Sequence, residues 1–246
     1  MTLFLDALNW ILDPANYVGN GSIPSRLLEH LLFTVITLLM ASALAVPLGF
    51  LIGHTGRGRG LAVAVSGGLR ALPTLGLLTL VALWVGIGLD APYVALTVLA
   101  IPPVLAGAYT GFEAIDRATI DAARAVGMSE WQVVRQVEVP LGLPLLIGGL
   151  RSGTLQVVAT ATLAAYVADF GLGRFLFSGL KTRDYAEMLG GSILVILLAL
   201  TLEGIFSALH RIVLPRGVAA GRATNVRGRS ARPPSGMEST IAKGRN

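Results

Sequence analysis

Five apolar stretches, each about 18 to 24 residues long, run through this chain: roughly Leu31–Gly53, Leu72–Leu89, Ala91–Phe112, Leu145–Ala168 and Leu189–Leu209. About 20 helical residues at 1.5 Å rise cross the hydrocarbon core of a bilayer. Buried helices of a soluble protein rarely reach that length five times in one chain. The pattern therefore predicts an all-α integral membrane protein with five transmembrane helices. The second span has room to begin earlier, near Leu61, with Arg70 close to its start and Pro73 as a kink. Composition agrees. Charged residues are 13% of the 246 and hydrophobic residues 54%, against roughly 25% charged in soluble domains. So few charges cannot cover a soluble surface.

The net charge of +5 points at first toward nucleic acid, but its location argues otherwise. Residues 215–246 hold seven basic side chains against Glu238, a balance of +6, and the first 214 residues hold 12 basic against 13 acidic, a balance of −1. The segment 215–246 is rich in Gly, Ser, Pro and Arg and reads as a disordered basic tail lying beside anionic lipid. No aromatic residue interleaves its arginines, so it lacks a base-stacking platform. No nucleic-acid partner is expected.

Loop charge sets the expected direction. Arg57 and Arg59 follow the first span, Arg117, Arg124 and Arg135 follow the third, and Arg211 and the tail follow the fifth. The opposite side holds Arg26, Arg174, Lys181 and Arg183. The positive-inside rule then places the C-terminus and the loop after the third span in the cytoplasm and, with five spans, the N-terminus outside. Met1 to Trp10 carries no Lys or Arg and so lacks the basic region of a cleaved signal peptide. The expected organisation is an extracytoplasmic segment 1–30, a membrane domain 31–214 containing a cytoplasmic loop 113–143, and the tail 215–246.

That loop is the most informative stretch. A first short helix is expected over about Thr119 to Val126, stopped by Gly127, where positive φ is cheap. A second is opened by Ser129 with Gln132 three residues on, the spacing of a capping box. Pro140 and Pro144 then close the loop and reopen a membrane helix. The residues Asp121-Ala122-Ala123, three more, Gly127, nine more, then Val137-Glu138-Val139-Pro140 resemble the EAA motif of ABC-importer permease subunits. Asp121 replaces the usual Glu and keeps the charge on a shorter side chain. The likeness runs from about Leu31 to Leu209. Arg70–Leu75, Tyr109–Gly111 and Gly171–Leu180 resemble the branch that imports osmoprotectants such as glycine betaine, choline, carnitine and proline.

The resemblance implies a type I ABC-importer (MetI-like) permease fold in the inner, plasma membrane of a prokaryote. It implies two ATPase subunits, which hold the ATP and Mg, a second permease subunit, identical or paralogous, and an extracytoplasmic substrate-binding protein carrying the high-affinity site. It also makes Asp121, Ala122, Ala123, Gly127, Ser129 and Pro140 the ATPase-coupling residues. Physically, Ala122 and Ala123 permit close approach and Gly127 a sharp turn. Asp121, placed near the first turn, complements the helix dipole.

The chain has no G-x-x-x-x-G-K-[ST], no G-x-S-x-G and no cysteine, and its three histidines, His30, His54 and His210, are scattered. No catalytic residue, metal site or cofactor of its own is expected. His54 reads as an interfacial loop residue. Polar groups within spans tend to face protein or water, which makes Gln156, Thr160, Thr162 and Glu203 candidates for the translocation path. Interhelical hydrogen bonding competes for the fourth span's residues, and pairing with Arg70 or Arg211 competes for Glu203. Gly49/Gly53, Gly107/Gly111 and Gly149/Gly153 have the G-x-x-x-G spacing of close helix packing. A permease for another small solute such as an amino acid, or a passive channel without ATPases, is the alternative; the helix–Gly–helix loop argues against the channel.

Overall fold

A computed structural model describes residues 2–213. The tail 215–246 lies outside the described residues. Among the described residues all regular structure is helical. Helix α1 covers Thr2–Leu12, α2 Ile23–Thr55, α3 Arg59–Arg70, α4 Thr74–Val85 and α5 Asp90–Glu113. Then come α6 Arg117–Ala125, α7 Glu130–Val133, α8 Val139–Ala164, α9 Gly173–Thr182 and α10 Tyr185–Val213. Among the described residues four helical runs are long and apolar enough to cross a membrane, and the pair α3 and α4 makes a fifth if it counts as one span.

That pair is bent by 88°. Pro73 sits at the break with extended backbone (φ −64°, ψ 119°). Proline offers no N–H to continue a helix and disfavours a helical residue before it, so the kink expected in the second span is a full break. Elsewhere the helices outrun the apolar stretches. The α2 helix starts at Ile23, with Pro24 in its first turn, so residues 23–30 belong to the span helix. It ends at Gly56 in the left-handed region (φ 68°). The α8 helix starts well before Leu145 and stops at Ala164. The segment between α8 and α10 contains the helix α9.

The α5 helix is the centre. Of its apolar window 72% is buried, against 11% for α10. It is sandwiched between α2 and α8, and glycine makes the contact possible. A Cβ on Gly107 would lie 2.7 Å from the Gly149 Cα, and one on Gly111 would lie 2.7 Å from the Gly142 carbonyl. On the other side a Cβ on Gly53 would lie 2.7 Å from the Phe112 Cβ. All three G-x-x-x-G pairs therefore serve helix packing. Near the start of α5 Phe33 of α2 stacks on Tyr93 at 4.6 Å.

Pro102 and Pro103 lie inside α5. Proline at 103 cannot bond the carbonyl four residues back, that of Leu99. Gln156 of α8 donates its Nε2–H to that carbonyl at 3.0 Å. A membrane core supplies no water to do this.

The start of α2 and the segment after α8 are tied by polar contacts. Arg26 bonds Glu29 at 3.0 Å and Asp169 at 2.8 Å, and Glu29 accepts from the Gly171 N–H at 2.8 Å. The fully buried His30 accepts from the Leu172 N–H at its Nδ1, so its Nε2 carries the proton and donates to the Val158 carbonyl at 3.1 Å.

The packing predicts unequal tolerance of alanine on α5 and α8. Gly107→Ala should cost about 1–3 kcal/mol, the usual penalty for overpacking, while Gly148→Ala, with no atom within 4 Å of the new Cβ, should cost nothing. Thermal unfolding midpoints in detergent check this; equal midpoints for the two variants would contradict it.

Candidate coupling site and transport path

The segment between α5 and α8 is built by capping. Asp116 is the N-cap of α6, accepting from the Ala118 N–H at 3.0 Å. Asp121 therefore lies in the body of α6, not near its first turn, and the dipole-complementing carboxylate is Asp116. Beyond Ala125 the chain turns at Gly127 (φ 89°). The Gly127 N–H bonds the Arg124 carbonyl and the Met128 N–H bonds the Ala123 carbonyl. This is the Schellman pattern, which needs a residue at ease with positive φ. Ser129 then opens α7 with both bonds of a capping box: Ser129 N–H to Gln132 Oε1 at 2.8 Å, and Gln132 N–H to Ser129 Oγ at 3.4 Å.

The second helix does not end at a proline. After α7 the chain makes a π turn over Val134–Glu138 and runs directly into α8. Pro140 and Pro144 both lie in or near the first turns of α8, so neither closes the loop. The π turn has a local cause. A proline at 140 would press its ring on the Gln136 carbonyl in a regular α-helix. The wider turn, closed by the Val139 N–H on the Val134 carbonyl, precedes it.

The α6–α7 elbow is held by an ion pair. Arg124 donates from Nε and Nη2 to the two oxygens of Glu130, at 2.9 and 3.0 Å, and lies 3.7 Å from Asp121. Hydrogen bonding to Glu130 raises the Arg124 pKa above its ordinary value. Ala122 and Ala123 part company: Ala122 is exposed and Ala123 buried. The exposed residues of the elbow include Ala122, Val126 (80% exposed) and Trp131 (70% exposed), and Asp121, which also borders the hollow toward α2 and α5. Two large apolar side chains on an otherwise polar elbow form a ready docking surface. Trp131 is not part of the motif and was found only by its exposure.

Behind the elbow His54 closes α2. It is a helix residue, not a loop residue. Its Nδ1 lies 2.7 Å from the buried Glu138 Oε2, and its Nε2 lies 3.4 Å from Glu130 Oε2. No local pattern links residues 84 positions apart.

The candidate path residues do not converge. Gln156 is spent on the Leu99 carbonyl. Thr160 and Thr162 bond carbonyls of their own helix, at 2.8 Å to Gln156 and 2.7 Å to Ala159. Glu203 of α10 pairs with Arg151 of α8, neither with Arg70 nor with Arg211. The open face of α8 follows helical spacing instead: Leu141, Leu145, Gly148, Ser152 and Ala159 are exposed, with Thr162 half-exposed on the same side. Among the described residues no cluster of His, Asp or Glu is arranged to hold a metal.

Residues 45–217 match the family of binding-protein-dependent transport system inner membrane components. The chain belongs to that family. It is 30% identical over 190 residues to the glycine betaine/carnitine/choline transport system permease protein OpuCB of Bacillus subtilis, covering 77% of this chain and 88% of that one. To the osmoprotectant import permease protein OsmW of Salmonella typhimurium it is 28% identical over 222 residues, covering 87% and 100%. Among solved structures it resembles inward-facing conformations of the MetNI methionine ABC transporter, with a TM-score of 0.66 and 25% identity, covering 76% of this chain and 94% of that one. The fold is thus that of a type I ABC-importer permease, a multi-pass inner-membrane protein.

If Gln156 serves the backbone of α5, Gln156→Leu should lower stability by about 1–3 kcal/mol, the cost of an unsatisfied buried carbonyl. A variant with unchanged thermal stability but altered solute selectivity would return Gln156 to the path.

Proposed function

We propose that this chain is a permease subunit of an ATP-driven importer for a small osmoprotectant: a quaternary ammonium compound such as glycine betaine, choline or carnitine, or proline. The observation that carries the reading is the exposed α6–α7 elbow, capped at both helix junctions and carrying the EAA-like residues, in a chain of this family. The names of the relatives support the substrate class.

In this reading the elbow is cytoplasmic and docks on an ATPase subunit. Asp121 and Ala122 contribute its contact surface, Ala123 seats the helix inward, Gly127 and Ser129 shape the turn, and Pro140 sets the π turn behind it. The N-terminus lies outside and the C-terminus, with the tail 215–246, in the cytoplasm. Residues 1–30 are extracytoplasmic, 31–214 form the membrane domain and 113–143 the coupling loop. The complex comprises two ATPase subunits, which bind ATP and Mg, two permeases, identical or paralogous, and an extracytoplasmic binding protein that selects the solute. The path then runs between permeases, and the small, weakly polar face of α8 at Gly148, Ser152, Ala159 and Thr162 suits a wall that solute passes without tight binding.

Two measurements test this. Proteoliposomes holding the permease, its ATPase and its binding protein should accumulate labelled glycine betaine or choline only with ATP inside, without competition from methionine. Accumulation of methionine or another amino acid instead would overturn the substrate class. The cysteine-free chain with cysteine at Ser129 should react only with reagent reaching the cytoplasmic side; labelling from outside would reverse the orientation.

A further inference from the structure

The elbow that would receive the ATPase is poorly seated on the spans. A cavity of about 560 Å³ lies between α6 and the ends of α2 and α5. It is lined by Gly53 and Thr55 of α2, Phe112 of α5, and Ile120 and Asp121 of α6. A hollow transmits little force through apolar packing, because atoms without neighbours across a gap make no dispersion contact. One polar tie bridges it. The Arg59–Glu113 pair, at 3.6 Å, joins α3 to α5 and does not reach the elbow. The tie to the elbow is His54, whose ring stands between the carboxylates of Glu130 and Glu138.

Those carboxylates belong to different parts. Glu130 opens α7 and is fixed to α6 by the bidentate pair with Arg124. Glu138 closes the π turn that leads into α8 and is 5% exposed. One imidazole on the last turn of α2 therefore touches the elbow through Glu130 and the root of α8 through Glu138. A π turn is a frequent mark of function inside a helix. A buried carboxylate is costly without its partner, so Glu138 holds His54 firmly.

We propose that His54 is a positioning residue for coupling: it locks the end of α2 to the elbow and to the start of α8, so that all three move as one body when the elbow is displaced. Arg124 and Glu130 extend the lock to α6. This rests on the transporter reading above, and adds to it a route that the EAA-like residues do not contain.

The test uses the full permease–ATPase–binding-protein complex in proteoliposomes, reading solute uptake and ATP hydrolysis together. His54→Leu should keep the ATPase bound but lower the solute taken up per ATP about tenfold, the scale of a lost charge-assisted contact. His54→Arg, which donates to two carboxylates at once, should recover most of that loss, which a merely space-filling role would not predict. An uptake-to-hydrolysis ratio unchanged in His54→Leu would overturn the clamp. Should that variant not fold, spin labels at Thr55 and Ala125 in otherwise native protein serve instead. Their separation should stay constant between nucleotide-free and ATP-trapped complexes, and a change between the two states would overturn the clamp. No ATP-driven uptake by the native complex would overturn the transporter reading itself, and the clamp with it.

Discussion

Lipid gives two helices no hydrophobic reason to associate, because acyl chains are as apolar as leucine. Close backbone approach must supply the contact instead, and in this protein it occurs along α5. Glycines at 53, 107, 111, 142 and 149 bring α2 and α8 against it at distances that leave no room for a Cβ. Tight packing has a consequence for the prolines. Pro103 frees the Leu99 carbonyl within α5, and only a helix packed this closely can bring Gln156 to satisfy it. With α2, α5 and α8 fixed, the remaining helices are peripheral. The α10 helix adds the Arg151–Glu203 pair, and α3 and α4 fold around Pro73.

The α6–α7 elbow follows a different physics. Local hydrogen bonding builds it: Asp116 caps α6, a Schellman turn ends it at Gly127, and the Ser129–Gln132 box starts α7. Such a unit holds its shape with little buried area. It can therefore stand away from the membrane core, expose Val126 and Trp131, and still present a rigid surface. Its attachment to the spans is sparse, by His54 and by the helical continuity through the π turn into α8. A rigid lever with few attachments suits a part that must transmit movement.

The spans were legible because apolar length is a one-dimensional signal; at Pro73 the sequence indicated a kink, and the helix breaks outright there. The glycine pairs and the capping box were legible because both depend on fixed short spacings. Helix ends were less so: α2 begins at Ile23 and α8 at Val139, since polar residues continue a helix beyond the hydrocarbon without changing its hydrogen bonds. Asp121 was misplaced because the cap that starts α6 is Asp116, three residues before the expected start. Polarity within a membrane first meets a structural need, and Gln156, Thr160, Thr162 and Glu203 each found a partner in the protein. The His54–Glu138 contact had no trace in sequence, because it joins residues 84 positions apart through a π turn that only the fold displays.

The proposed transporter reading puts the energy-receiving surface at the elbow and the solute-facing surface on α8, with α2 and α8 as the levers between them. Site-directed crosslinking to the ATPase examines that claim most directly. A photoreactive probe on cysteine at Val126 should capture the ATPase subunit in the assembled complex, and the same probe at Ile87, at least as exposed and just beyond α4, should capture none. Capture from Ile87, or none from Val126, would contradict the account.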